Sequence, residues 1–518
     1  MPPQPENAGT FSQANGYGVP RVLPGRWGGP AAHAPGRPHV AGHAAQVRFE
    51  SLVNMADTFK RVLDARLVLS VTAAGIMSLA GVVVETSMNI AFPALMAEFG
   101  VSTATVQWIT TGYLLVLAAI IPLSAYLKRR FRIKSLFMAA LGLFFAGTLA
   151  CIFAPSFAVL LAGRLVQGVG TGLTLPLMYN IVIEQAPLDK MGLMMGVATL
   201  ITAIGPALGP ALGGLIVSIW GWRMIFASLV PLLVVSFLLG AFSMRQPYPV
   251  QDVTFSVPQF LALAGSFSCL VFATNSASSA GWLAARTLGP LAAFAVLLAL
   301  FCLLASRSDD PLIDIRIFRR APFALSVAYV VLLQSIALST SYVIPNYAQL
   351  SFGFGAFAAG CLMLPGCVVG ALLAPFGGRL LDAFGAKRPI VFGAVSQLVA
   401  LVLLATLGTR VAVVWLAAFN VFISISQGFS MSNSITNGLS YLPPELKADG
   451  NAAFNTLQQL GGALGTAMAT SIVNAAQAGA ASMAAATTVG VGQSFGVFLC
   501  VSVAALACAL GVFAKRGC

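Results

Sequence analysis

Apolar residues run along this chain in long unbroken stretches, separated by short polar and basic segments. From Leu67 onward, runs of about 20 residues recur at about 67–94, 104–126, 135–154, 157–181, 191–219, 223–243, 256–275, 287–306, 322–349, 355–376, 389–408, 411–438, 453–476 and 491–513. Twenty helical residues at about 1.5 Å each cover roughly 30 Å, the thickness of bilayer hydrocarbon, so each run predicts one membrane-spanning helix. The fold class is therefore all-α, a polytopic membrane protein of fourteen spans. The seventh and thirteenth runs are the weakest, being rich in Ser, Thr or Ala.

Composition agrees with the pattern. Hydrophobic residues make up 58% of the 518 positions and charged residues 8%, where a soluble protein carries about a quarter charged. The eight cysteines are scattered, with no paired spacing, and predict neither a disulfide framework nor a metal site. Residues 1–60 differ. They are rich in Pro, Gly and Ala, hold all three histidines (His33, His39, His43), and read as a disordered cytosolic tail without a signal-peptide core.

The net charge of +13 belongs to topology. With the N-terminus inside, Lys60, Arg61 and Arg66, the cluster Lys128 to Lys134, Lys190, Arg245, Arg307 to Arg320, Arg379, Lys387, Arg388, Lys447, Lys515 and Arg516 all fall on the cytosolic side. The outer loops keep Arg223, Arg286 and Arg410. Basic residues favour the cytosolic side of a membrane, so both termini are expected there and nucleic acid is not an expected partner.

Within the spans one residue is out of place. Glu85 lies inside the first run and is the only one of fifteen acidic residues well inside any span. A charge near the bilayer centre costs about 2.5–3.5 kcal/mol on insertion scales, so such a residue is functional by default. Arg164 enters the fourth run about seven residues from its start, and Glu85 lies about nine from the outer end of the first. Their depths are then ~10 and ~14 Å, near enough for a carboxylate to meet a guanidinium if the helices touch. Such a pair is the expected proton-coupling site, flanked by Thr86 and Asn89, which can hydrogen-bond Glu85 or face the cavity, with Asn89 a candidate substrate contact; a permanent structural ion pair is the alternative.

Two short basic turns, 125–134 after the second run and 378–388 after the tenth, become equivalent if runs seven and eight are an insertion. The expected organisation is then 1–60 tail, 61–245 first six-helix half, 246–310 two inserted helices, and 311–518 second six-helix half. In the fifth run Gly205, Gly209 and Gly213 recur every four residues as a smooth stripe, with Pro206 and Pro210 removing backbone donors. Candidate cavity residues are Trp108, Tyr113, Tyr179, Asn180, Gln334, Tyr342, Asn346, Asn420, Gln427, Asn433 and Asn437; Tyr342 with Asn346, and Asn433 with Asn437, share a helix face.

These stretches resemble the major facilitator superfamily, and within it the fourteen-span drug:proton antiporter branch (EmrB/QacA type), from about residue 67 to the end. GRLLDAFGAKR is similar to the superfamily's G-x-L-x-D-x-x-G-x-[RK]-[RK] loop through Gly378, Asp382, Gly385, Lys387 and Arg388. AGRLVQGVGTG resembles R-x-x-Q-G-x-G, and AIGPALGPALGG resembles the antiporter signature G-x-x-x-G-P-x-x-G-G through Gly205, Gly209, Pro210, Gly213 and Gly214. Two departures stand out. Arg129 occupies the usual Asp position of the first loop; in the first span Val84 occupies the usual Asp position and the acid follows at Glu85, about 100° further round the helix.

The resemblance implies the major facilitator fold and gating roles for Gly378, Asp382, Gly385 and Arg388. Together with the buried acid it leads to an expected function: proton-coupled export of amphipathic compounds across the cytoplasmic membrane. A proton-coupled uptake symporter is the second expectation. No phosphate-binding loop and no His or acid cluster for metal chemistry occurs, so a non-enzyme without cofactor or metal, driven by the proton motive force and acting as a monomer in the bilayer, is expected.

Overall fold

In the computed structural model, residues 63–514 are described, apart from 102, 107, 248, 251–252, 309 and 479. The tail with its three histidines, Lys60, Arg61, Lys515, Arg516 and the side chains of Asn89 and Pro210 lie outside the described residues.

The chain is built of long helices, because lipid offers the backbone no hydrogen-bond partner and each segment must satisfy its own. The first seven are α1 (Ala65–Phe99), α2 (Trp108–Arg130), α3 (Ile133–Ile152), α4 (Phe157–Gln185), α5 (Met191–Trp220), α6 (Leu229–Ser243) and α7 (Val257–Ala280). They are followed by α8 (Ala285–Ser306), α9 (Ala321–Phe352), α10 (Leu364–Phe384), α11 (Lys387–Leu407), α12 (Val414–Ser440), α13 (Lys447–Gln477) and α14 (Met483–Ala514). The boundaries follow local chemistry. Asp64 caps α1 by accepting from the Leu67 N–H at 2.9 Å. Gly385, at φ +79°, ends α10 in a conformation that L side chains rarely adopt.

Thirteen helices among the described residues are long and apolar enough to cross a membrane. The fourteenth long helix, α13, read from sequence as the run 453–476, falls short of that apolarity. It is a continuous helix of 31 residues, but Asp449, Asn451, Asn455, Thr456, Gln459, Thr466 and Thr470 make it too polar. It packs on α2, α4, α7, α9, α12 and α14, so its polar groups meet protein and a cavity instead of lipid.

The same neighbours recur in two parts of the chain. α1 packs on α4, α5 and α6 as α9 packs on α12, α13 and α14; α3 packs on α4 and α6 as α11 packs on α12 and α14. Glycines set the closest of these approaches. Gly461 and Gly465 of α13 lie against the Val331 and Ser335 carbonyls of α9, as the α5 stripe lies against α1. α7 and α8 pack on each other, α7 also rests on α2 and α13, and most of α8 is exposed or half-buried.

Polar ties pin one end of the bundle, the near face, where α1 begins. Asp64 pairs with Arg245 at the end of α6 (2.7 Å), and Lys128 pairs with Glu184. Gln246 accepts from the Ile133 N–H at 2.8 Å. At the opposite, far face, Glu98 meets Arg223 at 2.6 Å and accepts from the Trp222 indole at 2.7 Å.

Two seams join the recurring groups at the near face. In the first, α5 meets α10 backbone to backbone: a Cβ on Gly192 or Gly378 would overlap the other's carbonyl oxygen. The Asp382 carboxylate there accepts from the Gly192 and Leu193 N–H groups at 2.8 and 2.9 Å, capping the first turn of α5. In the second, α2 meets α13. Arg129 approaches Asp449 at 3.8 Å and donates to the Pro311 and Leu312 carbonyls at 2.9 and 3.3 Å. Asp449 accepts from the Asp314 N–H at 3.1 Å, and Gln259 of α7 from the Leu312 N–H at 2.8 Å. The linker after α8 is thus bonded into this seam.

Candidate functional site

A cavity of about 290 Å³ lies between α1, α2, α7, α9 and α13, and Glu85 lines it. Its position is set from behind. Gly209 packs directly on Thr86 and on the Val83 carbonyl, Gly205 on Val82 and Gly213 on Ser87. The Ser87 hydroxyl donates to the Gly209 carbonyl at 2.7 Å. On another side Gly81 fits against Thr171 of α4. With these residues turned to α5 and α4, Glu85 projects into the cavity. Val84, at the usual acid position, is fully buried in the apolar core. Moving the acid one residue on is therefore what puts it on the cavity wall.

Gly209→Leu is expected to destabilise the protein by about 1–3 kcal/mol or more, since even a Cβ overlaps Thr86 and a larger side chain must push α1 off α5. A thermal unfolding curve in detergent checks this. An unchanged midpoint would remove the stripe from the support of Glu85.

Arg164 is fully buried. It donates from Nη1 to Gln167 at 2.9 Å, and its guanidinium stacks over the Tyr113 ring at 4.2 Å. Gln167 donates onward to Thr148 at 2.8 Å. Arg164 is an electrostatic neighbour of Glu85, yet the two form no ion pair among the described residues. The direct pairing expected from sequence is corrected here: Tyr113 and Gln167 occupy the near positions around the guanidinium. Its Nε and Nη2 have no hydrogen-bond partner. A buried cation with two donors free, close to a carboxyl held in a cavity wall, can accept a negative charge when one forms.

The other sequence candidates are dispersed. Tyr113 is buried and donates to Thr171 at 2.9 Å and to the Gly81 carbonyl at 3.3 Å. Trp108 is largely exposed and its ring lies near Phe272. The Thr86 hydroxyl is bonded to the Val82 carbonyl of its own helix at 2.9 Å instead of to Glu85. Asn346 donates to the Tyr342 carbonyl at 2.8 Å. Asn433 donates to the Gly377 carbonyl at 2.8 Å and ties α12 to α10, while Asn437 is buried with its Nδ2 unpartnered. Gly378 and Asp382 stand in the α5–α10 seam, Gly385 ends α10, and Arg388 lies over the Phe384 ring at 5.2 Å. Of the principal candidates among the described residues, Glu85 alone is on the cavity wall.

Sequence reasoning missed several residues. Asn451 donates to Asn180 at 2.9 Å and to the Pro176 carbonyl at 3.0 Å, and Asn455 donates to Asn451 at 2.9 Å, a buried ladder between α4 and α13. Thr456, Gln459, Thr466 and Thr470 line the cavity from α13, and Thr274 from α7. Their signal was present in the spacing 456, 459, 466, 470, which keeps to one helix face.

The sequence matches the Major Facilitator Superfamily over residues 71–466. It is 35% identical over 439 residues to a lincomycin resistance protein of Listeria monocytogenes, covering 83% of this chain and 93% of that one. A lincomycin resistance protein of Bacillus subtilis is 34% identical over 413 residues, covering 79% and 86%. A multidrug resistance protein B homolog of Mycobacterium tuberculosis is 27% identical, covering 76% and 74%. In structure the chain is similar to the human organic anion transporter MFSD10, with a TM-score of 0.60 at 14% identity over 86% of this chain and 100% of that one, a likeness of fold. Long apolar helices, the recurring pattern of neighbours and a sequence match across most of the length converge: this chain belongs to the major facilitator superfamily.

Proposed function

We propose that the protein is a proton-coupled antiporter that exports amphipathic, drug-like compounds, of the fourteen-span EmrB/QacA type. The observation that carries this reading is the Glu85 carboxyl on the wall of a largely apolar cavity, in no ion pair among the described residues, with the half-satisfied Arg164 guanidinium nearby. Exchange needs a group that holds a proton or yields it to a competing substrate. Glu85 is that group, and Arg164 steadies the carboxylate once the proton has left. Relatives named for lincomycin and multidrug resistance support the substrate class. The activity is transport, without covalent chemistry or a cofactor.

The proposed arrangement is two six-helix halves, 61–245 and 311–518, with α7 and α8 inserted between them and α13 as a crossing shielded by its neighbours. The parallel neighbour lists of α1 and α9 support it. The near face is cytosolic in this reading, as the basic residues there favour, and the protein is a monomer of the plasma or inner membrane.

The test is proton movement on addition of substrate to purified protein in liposomes with an imposed pH gradient. Substrate and protons exchanging in opposite directions is the expected result. Movement of both in the same direction would make the protein an importer, and no coupling to any drug-like cation would overturn the reading.

A further inference from the structure

We infer that the α13 face of the cavity selects substrates that carry neutral hydrogen-bonding groups beside a cationic centre. This rests on the export reading above and narrows its substrate class. The cavity has walls of different chemistry. α2 brings Leu114, Leu117, Ala118 and Ile121, spaced as one apolar helix face that ends in Thr111. α13 brings Thr456, Gln459, Thr466 and Thr470, and Glu85 adds the acid.

The polar wall is not spent on the protein itself. Thr466 and Thr470 donate to the Gly462 and Thr466 carbonyls of their own helix at 3.0 and 2.8 Å, which leaves each oxygen able to accept. Thr456 is 3% exposed and its hydroxyl has no partner among the described residues. Other buried hydroxyls, such as those of Ser78 and Ser426, also lack a partner, but Thr456 stands on the cavity wall, where a ligand group can supply one. Gln459, half-buried one turn away, offers both a donor and an acceptor. A flat lipophilic cation satisfies Glu85 and the α2 wall but leaves Thr456 and Gln459 unbonded. A cation bearing hydroxyl or amide groups satisfies all three. Sites built to bond such groups discriminate strongly against ligands that lack them.

α7 belongs to the same surface, through Val271 and Thr274. Thr274 donates to the Val271 carbonyl at 2.9 Å and, like Thr466, keeps its acceptor capacity. One helix of the pair between the recurring groups thereby contributes directly to the site.

The experiment compares two probes in the same liposomes. Lincomycin carries an amine with several hydroxyls and an amide; tetraphenylphosphonium is a cation with no hydrogen-bonding group. The Thr456→Val/Gln459→Leu variant is expected to lower the ratio of lincomycin to tetraphenylphosphonium export about tenfold, and Thr456→Ser, which keeps the hydroxyl, to retain the wild-type ratio. An unchanged ratio in the double variant, or a Thr456→Ser ratio as low as that of the double variant, would overturn the inference. So would a wild type that exports tetraphenylphosphonium and not lincomycin, although export itself would then stand. Wild-type protein that moves neither probe would overturn the export reading beneath it.

Discussion

Glu85→Gln is expected to abolish proton-coupled exchange while leaving the protein folded. The amide keeps the size and the hydrogen-bonding reach of the acid but cannot release a proton at any working pH. No ion pair is lost with it, because Arg164 is held by Gln167 and Tyr113 and not by Glu85. The melting midpoint in detergent should therefore move little. Transport should fall to the level of empty liposomes for uphill exchange, and binding of a cationic probe should weaken without vanishing, since the apolar α2 wall is untouched. Uphill exchange at the wild-type rate would take Glu85 out of the mechanism.

Arg129→Ala is expected to produce the largest loss of stability from a single change at the near face. Asp449 is fully buried in the first turn of α13, ahead of the 453–476 run, and Arg129 is the cation that faces it most closely. Removing one partner of a buried pair strands the other, at a cost of about 3–5 kcal/mol. Arg129→Ala combined with Asp449→Asn should recover much of that.

The pH dependence follows from the same groups. Burial pushes the Asp449 carboxyl up to about 6, against the opposing Arg129 and Lys128 charges and the Asp314 N–H, with the Asp314 carboxylate adding to the rise. A carboxyl raised on folding stabilises the fold most at low pH, and that contribution fades as pH rises from about 4 through about 6. Without Arg129 the carboxyl rises further, so the penalty of Arg129→Ala should be smaller at pH 5 than at pH 7.5. Melting curves of both variants at the two pH values check this. A penalty independent of pH would mean that Asp449 is not the stranded charge.

Much of the fold was legible because the bilayer imposes it. Among the described residues run length located each long helix, α13 included. What run length did not tell is that α13 falls short of a lipid-facing span in apolarity, and that its polarity is tolerated because it faces protein and a cavity. Glu85 was legible for the same reason, as a charge where charges are costly. Its partner was not. Depth along two helices brings Glu85 and Arg164 to one level, but the rotation of each helix and the reach of Tyr113 decide which atoms touch. The candidate aromatic and amide residues show the same limit. Asn433 and Asn346 are polar in a span because they tie helices or their own backbone, and sequence does not separate that use from lining a cavity.

The two near-face seams differ in how they are fastened. The α5–α10 seam is a close contact of glycine backbones with one carboxylate across it. The α2–α13 seam is stitched by the linker, which is bonded at once to Arg129, to Asp449 and to Gln259. Parting the second requires three elements to let go together; parting the first requires one side chain to release two amides. If the two proposed halves rock against each other, the motion is expected to resemble a door hung on one jamb, with α2, α7, α13 and the linker as the hinge post and α5–α10 as the free edge. Traffic through the near face would pass along that free edge.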